Sequence, residues 1–298
     1  MTRPSLSTPA FEAFLRPARA RPQIWRLLAG LVVIALVYAG WLALIAGTLW
    51  ALAGRDGMMS WFRRMAAAVE PAPTYLLLAT FIGLALAPIA AARLLHRRGA
   101  GSLIGRGPRV IRDFVRAALI VFVVYAVLLV PWGLAYDAEP NLSPGLWLRL
   151  LPLSLVAVAV QTLAEEMVFR GYLMQQLAVR FRWPLVWLVL PALAFGALHY
   201  DPLTHGGNAW GVVLAVTLFG LAAADLTRRT GSLGAAWGLH FANNTVALLV
   251  LATGGALPGL ALWRTPYQAA DPAMTGAMLG DLAAMLAIWA ILARLLRR

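Results

Sequence analysis

The sequence A-E-E-M-V-F-R-G-Y-L-M-Q-Q occupies residues 164–176 and follows an apolar run that begins near Leu151. It places two adjacent carboxylates and an arginine in a segment with the composition of a membrane helix, where each central charge costs roughly 2.5–3.5 kcal/mol. Glu166 and Arg170 are four residues apart and can neutralise each other on a helix, whereas Glu165 is rotated by about 100° and has no local partner. Glu165 is therefore the first candidate for a functional residue.

The composition predicts a membrane protein. The chain has 298 residues, of which 61% are hydrophobic and 12% charged, and its mean hydropathy is +0.77; these values indicate an all-α polytopic bundle. All basic residues are arginine, and the net charge of +13 bears on orientation and lipid contact, since no nucleic-acid motif is present. The absence of cysteine excludes disulfides, thiolate catalysis and cysteine-ligated metals.

Apolar runs predict about eight transmembrane helices in a single domain, residues 24–298, after a basic cytosolic tail, residues 1–23. The first run is longer than the 7–15 residues of a signal-peptide core, so it is expected to remain as an anchor. The expected spans are 27–53, 75–91, 117–135, from Trp147 inward, 184–199, 209–226, 233–253 and 275–292.

The arginine distribution sets the expected orientation. Residues 93–116 contain seven arginines and one aspartate, so this segment is placed in the cytosol, with residues 110–115 as a candidate interfacial helix. Cytosolic termini then place most arginines inside, including Arg3, Arg297 and Arg298. The arginines left outside are Arg55, Arg63, Arg64, Arg149 and Arg264. Asp137 and Glu139 mark an external loop, and the composition favours a prokaryotic plasma membrane.

Few polar residues lie in the later spans. His240 and Asn244 share one helix face, where two polar groups in a membrane need a common purpose. A lone histidine such as His199 is more often a core or interfacial residue. His96 and His205 are expected to be solvated, and a metal site formed by Asp201 and His205 is a weak alternative. The residues expected to form a polar cytosolic extension of the fourth helix are Gln175, Gln176, Arg180 and Arg182.

Three motifs follow one another along the later spans. They are Glu165-Glu166-x-x-x-Arg170, Phe195-x-x-x-His199 and His240-x-x-x-Asn244, the last preceded by R-T-G-S-L at residues 229–233. Together they resemble the motifs of the CAAX protease and bacteriocin-processing (CPBP) family of intramembrane endopeptidases. The resemblance covers about residues 147–253 and implies a peptidase core there, acting on a membrane-associated protein or peptide.

Peptide hydrolysis requires a base for water, donors for the oxyanion and a proton for the leaving amine. Glu165 can be the base, His199 can orient the water or pass the proton, and His240 with Asn244 can donate to the oxyanion. Glu166 and Arg170 then form a structural pair, and the resemblance implies the same division of roles, with Phe195 as support.

A metal is the main open alternative within the enzyme hypothesis. Glu165, His199 and His240 would form a His₂Glu zinc set with an open position for water. That arrangement would use Glu165 as a ligand and leave Glu166 as the base, so a metal-free glutamate mechanism is favoured.

Two other classes of function remain, a transporter with an ion or proton site and a bis-histidine haem carrier using His199 and His240. Counting residues from the turn near Arg182 places Glu165 and His199 at one height, each roughly 25 Å above it. A shared site requires the Glu165 carboxylate to lie within about 6 Å of an imidazole.

Overall fold

The computed structural model describes residues 6–135 and 138–296, without the side chains of residues 130–135. Arg3, Asp137, Arg297 and Arg298 lie outside the described residues. The predicted all-α bundle is confirmed, with one small sheet added at its edge.

The helices have the following bounds in chain order: α1 Pro9–Leu15, α2 Ile24–Ala67, α3 Pro71–His96, α4 Gly101–Ile104, α5 Gly107–Ala135, α6 Pro144–Glu166, α7 Gln175–Ala178, α8 Leu190–Ala197, α9 Pro202–His205, α10 Ala209–Thr230, α11 Gly234–Thr245 and α12 Ala273–Leu295. Three π-helical segments are continuous with α-helices, at Met167–Met174, Leu185–Val189 and Val246–Val250. Short 3₁₀ turns lie at Arg16–Ala20, Gly206–Asn208 and Pro258–Leu260. The strands are β1 Glu139–Pro140, β2 Leu251–Gly254 and β3 Trp263–Gln268.

Five helices within the described residues are long and apolar enough to cross a membrane. They are Ile24–Ala67, Pro71–His96, Pro144–Ala178, Pro202–Thr230 and Ala273–Leu295. The expected fifth span corresponds to a shorter apolar helix, Leu185–Ala197. The expected third and seventh spans correspond to α5 and α11, so helices lie at all eight positions, but eight membrane crossings are not established.

Two element boundaries differ from the expectation. The seventh span was expected to reach residue 253, but the backbone becomes extended at Leu251 (φ −134°, ψ 100°), where β2 begins and pairs with β3. Residues 110–115 do not form a separate interfacial helix, because they are the first turns of α5. That part of α5 packs closely on α11, where a Cβ at Gly238 would lie 2.3 Å from the Phe114 carbonyl oxygen.

The helix of the first apolar run extends beyond its expected end at residue 53. Helix α2 continues to Ala67, but it has a kink at Gly54, whose φ of 68° and ψ of −177° are not helical. A side chain at that positive φ would be strained, so glycine suits the position. The predicted limit of the first span at residue 53 coincides with this kink.

The loops gather on two opposite faces of the bundle, and each long helix runs from one face to the other. We call one the basic face, residues 6–23, 97–109, 179–184 and 228–233, and the other the sheet face, residues 68–71, 138–143, 200–208 and 251–272. Hydrogen bonds that join segments of the basic face include Thr8–Arg228, Pro22–Arg180 and Ile104–Leu233. Those that join segments of the sheet face include Ala68–Gly259, Asn141–Pro258 and Asn208–Ala269.

Three polar residues expected in solvent are buried. Gln175 and Gln176 are 0% and 2% exposed, because α1 and the segment around α4 cover the end of the long helix. His96 is 2% exposed, and its ring nitrogens lie 2.9 Å from the Tyr172 hydroxyl and 3.1 Å from the Arg21 carbonyl oxygen. Packing by the N-terminal segment thus replaces the predicted solvation.

Candidate functional site

The site is built on a helix that changes its winding at the two carboxylates. Helix α6 ends at Glu166, and the π-helical segment Met167–Met174 continues without a break into α7. π-Helical turns are rare, and they occur frequently at functional sites. Glu165 and Glu166 therefore lie at the point where the helix turns both carboxylates toward the bundle interior, 8% and 0% exposed.

The imidazole of His240 lies between the two carboxylates. Its Nδ1 is 2.9 Å from Glu166 Oε1, and its Nε2 is 3.3 Å from Glu165 Oε2. The distance from His240 Nε2 to Glu165 Oε2 is below the limit of about 6 Å that a shared site requires. His240 is 4% exposed, so this contact between α6 and α11 is shielded from bulk solvent.

The predicted pair of Glu166 and Arg170 is present. Arg170 Nη1 donates to Glu166 Oε1 at 3.0 Å, and Nη2 donates to the Gly220 carbonyl oxygen at 3.2 Å. Glu166 Oε1 thus accepts from both Arg170 and His240. Because a guanidinium can only donate, Glu166 Oε1 acts as an acceptor here, and we assign Nδ1 of His240 as its second donor.

Phe195 connects the arginine with both histidines. The guanidinium carbon of Arg170 lies 4.8 Å from the centre of the Phe195 ring, within the range of a cation–π contact. The same ring packs edge-on against His199, with centroids 4.9 Å apart, and against His240, with centroids 6.0 Å apart. Phe195 is 2% exposed and forms the apolar wall of the site.

His199 follows α8 and is only partly buried. Its Nδ1 lies 2.9 Å from the Phe195 carbonyl oxygen, which leaves Nε2 for other contacts. The ring interacts electrostatically with the Glu165 carboxylate. The structure thus places His199, which is partly exposed, at the rim of the same site.

Asn244 contacts a residue that the sequence analysis did not single out. Its Nδ2 donates to Gln161 Oε1 at 3.1 Å, and the Gln161 side chain in turn interacts with Glu165. Gln161 is 7% exposed and lies one helical turn before Glu165. Its position was a usable signal, because an amide four residues before a membrane-buried carboxylate lies on the same face.

Asn243 faces away from Glu165. Its Oδ1 accepts a hydrogen bond of 2.7 Å from the Tyr125 hydroxyl, which also lies 3.0 Å from Asp281 Oδ1. Its Nδ2 donates to Asn244 Oδ1 at 3.3 Å. The two asparagines therefore link the site to a second polar group between α5 and α12.

The side chains do not fit the proposed zinc set. Within the described residues, no group of three histidine, cysteine, aspartate or glutamate side chains has an arrangement that could hold a metal ion. Asp201 has a structural role instead of a metal-binding one, since its Oδ1 accepts from the backbone N–H groups of Leu203 and Thr204 at the start of α9. His205, expected in solvent, is partly buried and lies 3.2 Å from the Asp201 carbonyl oxygen.

Comparison with protein families identifies the segment that carries these residues. Residues 146–246 match the family model described as type II CAAX prenyl endopeptidase Rce1-like. This segment is similar to Rce1-like endopeptidases. The resemblance inferred from the three motifs is therefore confirmed, and all the residues of the site described above except Tyr125 and Asp281 lie within the Rce1-like segment.

One relative among curated proteins comes from Bacillus subtilis (strain 168). It is the uncharacterized protein YyaK, 36% identical over 107 residues, which are 36% of this chain and 35% of that protein. The match thus spans about a third of the length of the relative. No solved structure matches the chain.

Proposed function

We propose that this protein is an intramembrane endopeptidase of the CAAX prenyl protease type. It hydrolyses a peptide bond of a membrane-associated protein or peptide with a water molecule that Glu165 activates. The observation that carries the proposal is the placement of His240 between Glu165 and Glu166, at 3.3 and 2.9 Å, inside a membrane helix bundle. The match of residues 146–246 to Rce1-like endopeptidases supports the same assignment.

Glu165 is the base in this proposal. Its Oε2 has no hydrogen-bond partner within the described residues, although it faces His240 Nε2. A carboxylate with a free lone pair can accept a proton from water, and the resulting hydroxide attacks the carbonyl carbon of the substrate. The proton then passes to the nitrogen of the leaving amine as the peptide bond breaks, and His199 at the rim is placed to assist that transfer.

Glu166 positions the groups around the base. Because its Oε1 accepts from both Arg170 and His240, it fixes the orientation of the imidazole and directs Nε2 toward Glu165. A carboxylate that orients a histidine in this way is common in hydrolytic sites. Glu166 is therefore unavailable as a second base, which favours the glutamate mechanism over the zinc alternative.

The proposed oxyanion donors are His240 and Asn244. Because Nδ1 of His240 donates to Glu166, its Nε2 donates only when the imidazole carries a proton on both nitrogens, whereas the amide of Asn244 is always a donor. Its Nδ2 donates to Gln161 in the present structure, so a substrate carbonyl would replace Gln161 as the acceptor. An amide donor that is already directed into the site requires little reorganisation when the oxyanion forms.

The haem alternative conflicts with the geometry. Both ring nitrogens of His240 face carboxylate oxygens, Nδ1 at Glu166 and Nε2 at Glu165. No nitrogen of this ring remains for iron. The bis-histidine carrier is therefore not supported.

The decisive experiment compares Glu165→Gln with Glu139→Gln in the purified full-length protein. The assay follows cleavage of a reporter peptide in lipid vesicles, prepared with and without a C-terminal prenyl group. Glu139 pairs with Arg264 on the exposed sheet face, so its variant removes a carboxylate far from the site. We expect Glu165→Gln to abolish cleavage without a change in thermal stability. Glu139→Gln should retain both cleavage and stability.

Two outcomes of the same assay would contradict the mechanism. Wild-type turnover by Glu165→Gln would exclude the base assignment. Loss of activity after exhaustive chelation, restored by added zinc, would exclude the metal-free form of the mechanism and return Glu165 to the role of a ligand.

A further inference from the structure

A cavity of about 390 Å³ lies on the basic face, between the N-terminal segment and the start of α5. Its volume is within the roughly 300–1,000 Å³ of small-molecule sites. Three arginines line it from two sides, Arg16 from the N-terminal segment and Arg106 with Arg109 from the opposite wall. The rest of the wall includes small residues, among them Gly101, Ser102 and Gly231.

None of these three guanidinium groups has a carboxylate partner within the described residues. The nearest acidic side chains in sequence are engaged elsewhere. Glu12 pairs with Arg19, and Asp113 is buried beside Arg112 at 3.4 Å. Three uncompensated arginines around one concave site attract an anion, and the planar guanidinium matches the oxygens of a phosphate group in particular.

The cavity lies at a water-facing end of the membrane helices. Arg106 directly precedes α5 and Arg109 lies in its first turn, whereas α5 becomes uniformly apolar after Arg116. Basic pockets at the cytosolic ends of membrane helices bind the head groups of anionic lipids. We propose that this cavity binds the phosphate group of an anionic phospholipid, held by Arg16, Arg106 and Arg109.

A lipid bound in the cavity would also stabilise the packing around the helix that carries the candidate site. Gln175 is fully buried in the continuation of that helix, and its Nε2 donates to the Ser102 carbonyl oxygen at 2.9 Å and lies 3.5 Å from the Phe14 carbonyl oxygen. Ser102 and Phe14 both line the cavity. A head group bound between them would hold together the two segments that cover Gln175. The proposal is independent of proteolysis, because it concerns binding and stability.

The test uses the delipidated full-length protein in a neutral detergent and measures its thermal unfolding. Phosphatidylglycerol is compared with phosphatidylcholine at equal concentration, and inorganic phosphate is a third addition. The pocket variant is R106Q/R109Q. Its matched control is R93Q/R97Q, which removes two exposed arginines from the same end of the bundle, outside the cavity.

At a lipid concentration well above the dissociation constant, we expect phosphatidylglycerol to raise the Tm of the wild type by about 5 °C or more. The R93Q/R97Q variant should keep this shift and R106Q/R109Q should lose most of it. If R106Q/R109Q does not fold, Arg16→Gln on the opposite wall provides the same comparison.

Three results would overturn the proposal. Equal shifts with phosphatidylcholine would indicate non-specific lipid solvation. If the pocket variant and the control variant lose the shift in Tm equally, the shift depends on the total charge of the basic face and not on the cavity. A shift with inorganic phosphate but none with phosphatidylglycerol would assign the cavity to a soluble phosphate compound instead of a lipid.

Discussion

Glu166 Oε1 is the acceptor on which the arrangement of the site depends. It accepts hydrogen bonds from Nη1 of Arg170 and Nδ1 of His240, and none of the three residues is more than 4% exposed. A buried ionic group that loses one partner leaves an uncompensated charge, which destabilises a protein by about 3–5 kcal/mol. The stability of the protein and the orientation of the His240 imidazole therefore both depend on the Glu166 carboxylate.

Glu166→Gln is accordingly expected to lower both the Tm and the turnover number. The neutral amide keeps an oxygen acceptor but no longer balances the Arg170 charge, and its NH₂ group repels one of the two donors. Thermal unfolding in detergent and the vesicle cleavage assay measure the two effects. Glu165→Gln, which leaves the pair of Glu166 and Arg170 intact, is the matched control for stability. A Glu166→Gln protein as stable as the wild type would contradict the structural role of the pair of Glu166 and Arg170.

The two neighbouring asparagines allow a second comparison. Removal of one oxyanion donor typically lowers kcat by about 10²–10³-fold, and we expect a loss of this size for Asn244→Ala. Asn243→Ala should have a milder effect, because Asn243 Oδ1 faces Tyr125 and only its Nδ2 touches Asn244, at 3.3 Å. Kinetics of the purified variants, with KM and kcat separated, measure both effects. Equal losses would indicate that the wrong face of α11 was assigned to the oxyanion.

The sequence singled out most residues of the candidate site and the pair of Glu166 with Arg170, but not the contacts between its helices. The cost of charge in a membrane points to Glu165, and four-residue spacing pairs Glu166 with Arg170 and aligns His240 with Asn244. Two further contacts depend on how α6 and α11 approach each other. Glu166 also binds His240, and Gln161 connects Asn244 with Glu165. Contacts between helices that are distant in sequence cannot be predicted from the hydrophobic periodicity of either helix.

Among the elements, the contact between α8 and α10 sets the position of His199. Gly196 lies against α10, and a Cβ there would be 2.0 Å from Thr217 Oγ1 and 2.7 Å from the Val213 carbonyl oxygen. Because the second neighbour is backbone, the two helices must separate to admit a methyl group. Phe195 on α8 and His199 just after its end would move with Gly196.

Gly196→Ala is therefore expected to destabilise the protein by about 1–3 kcal/mol, as overpacking does, and to reduce turnover. Gly145→Ala is the matched control, since a Cβ at this helical glycine meets nothing within 4 Å. That variant should be neutral or slightly stabilising, because alanine favours a helix over glycine by up to about 1 kcal/mol. Thermal unfolding and cleavage kinetics check both variants, and equal behaviour of the two would refute the close contact.

Local sequence predicted the long helices well and the irregular elements poorly. Apolar runs located the helices because hydropathy is a property of the segment itself. The π-helical segment Met167–Met174 and the strand β2 depend on tertiary partners, since β2 exists by pairing with β3 near the sheet face. The apolar composition of residues 251–253 therefore resembled the end of a membrane helix.

On the scale of the whole molecule, the arginine distribution and the structure agree on which loops share a side. Segments that charge counting assigned to the cytosol meet on the basic face, and Glu139 and Arg264, both assigned outside, pair at 2.8 Å on the sheet face. The sequence did not predict that the N-terminal segment folds over the end of the helix that follows Glu166. Phe11 packs on Trp187 there, with ring centroids 5.3 Å apart, a contact between residues far apart in the chain.

The orientation in the membrane is a prediction that the natural absence of cysteine makes directly testable. Single cysteines are introduced as Arg180→Cys on the basic face and Gly207→Cys on the sheet face, both at exposed positions. Because arginine-rich loops remain in the cytosol, a membrane-impermeant maleimide added to intact cells should label Gly207→Cys and leave Arg180→Cys unlabelled. After permeabilisation, both variants should be labelled to similar extents, which controls for the accessibility of each thiol. The wild-type protein, which has no cysteine, is the negative control. Labelling of Arg180→Cys in intact cells would invert the topology and would place the arginine-lined cavity at the outer surface, against the charge bias of the whole sequence.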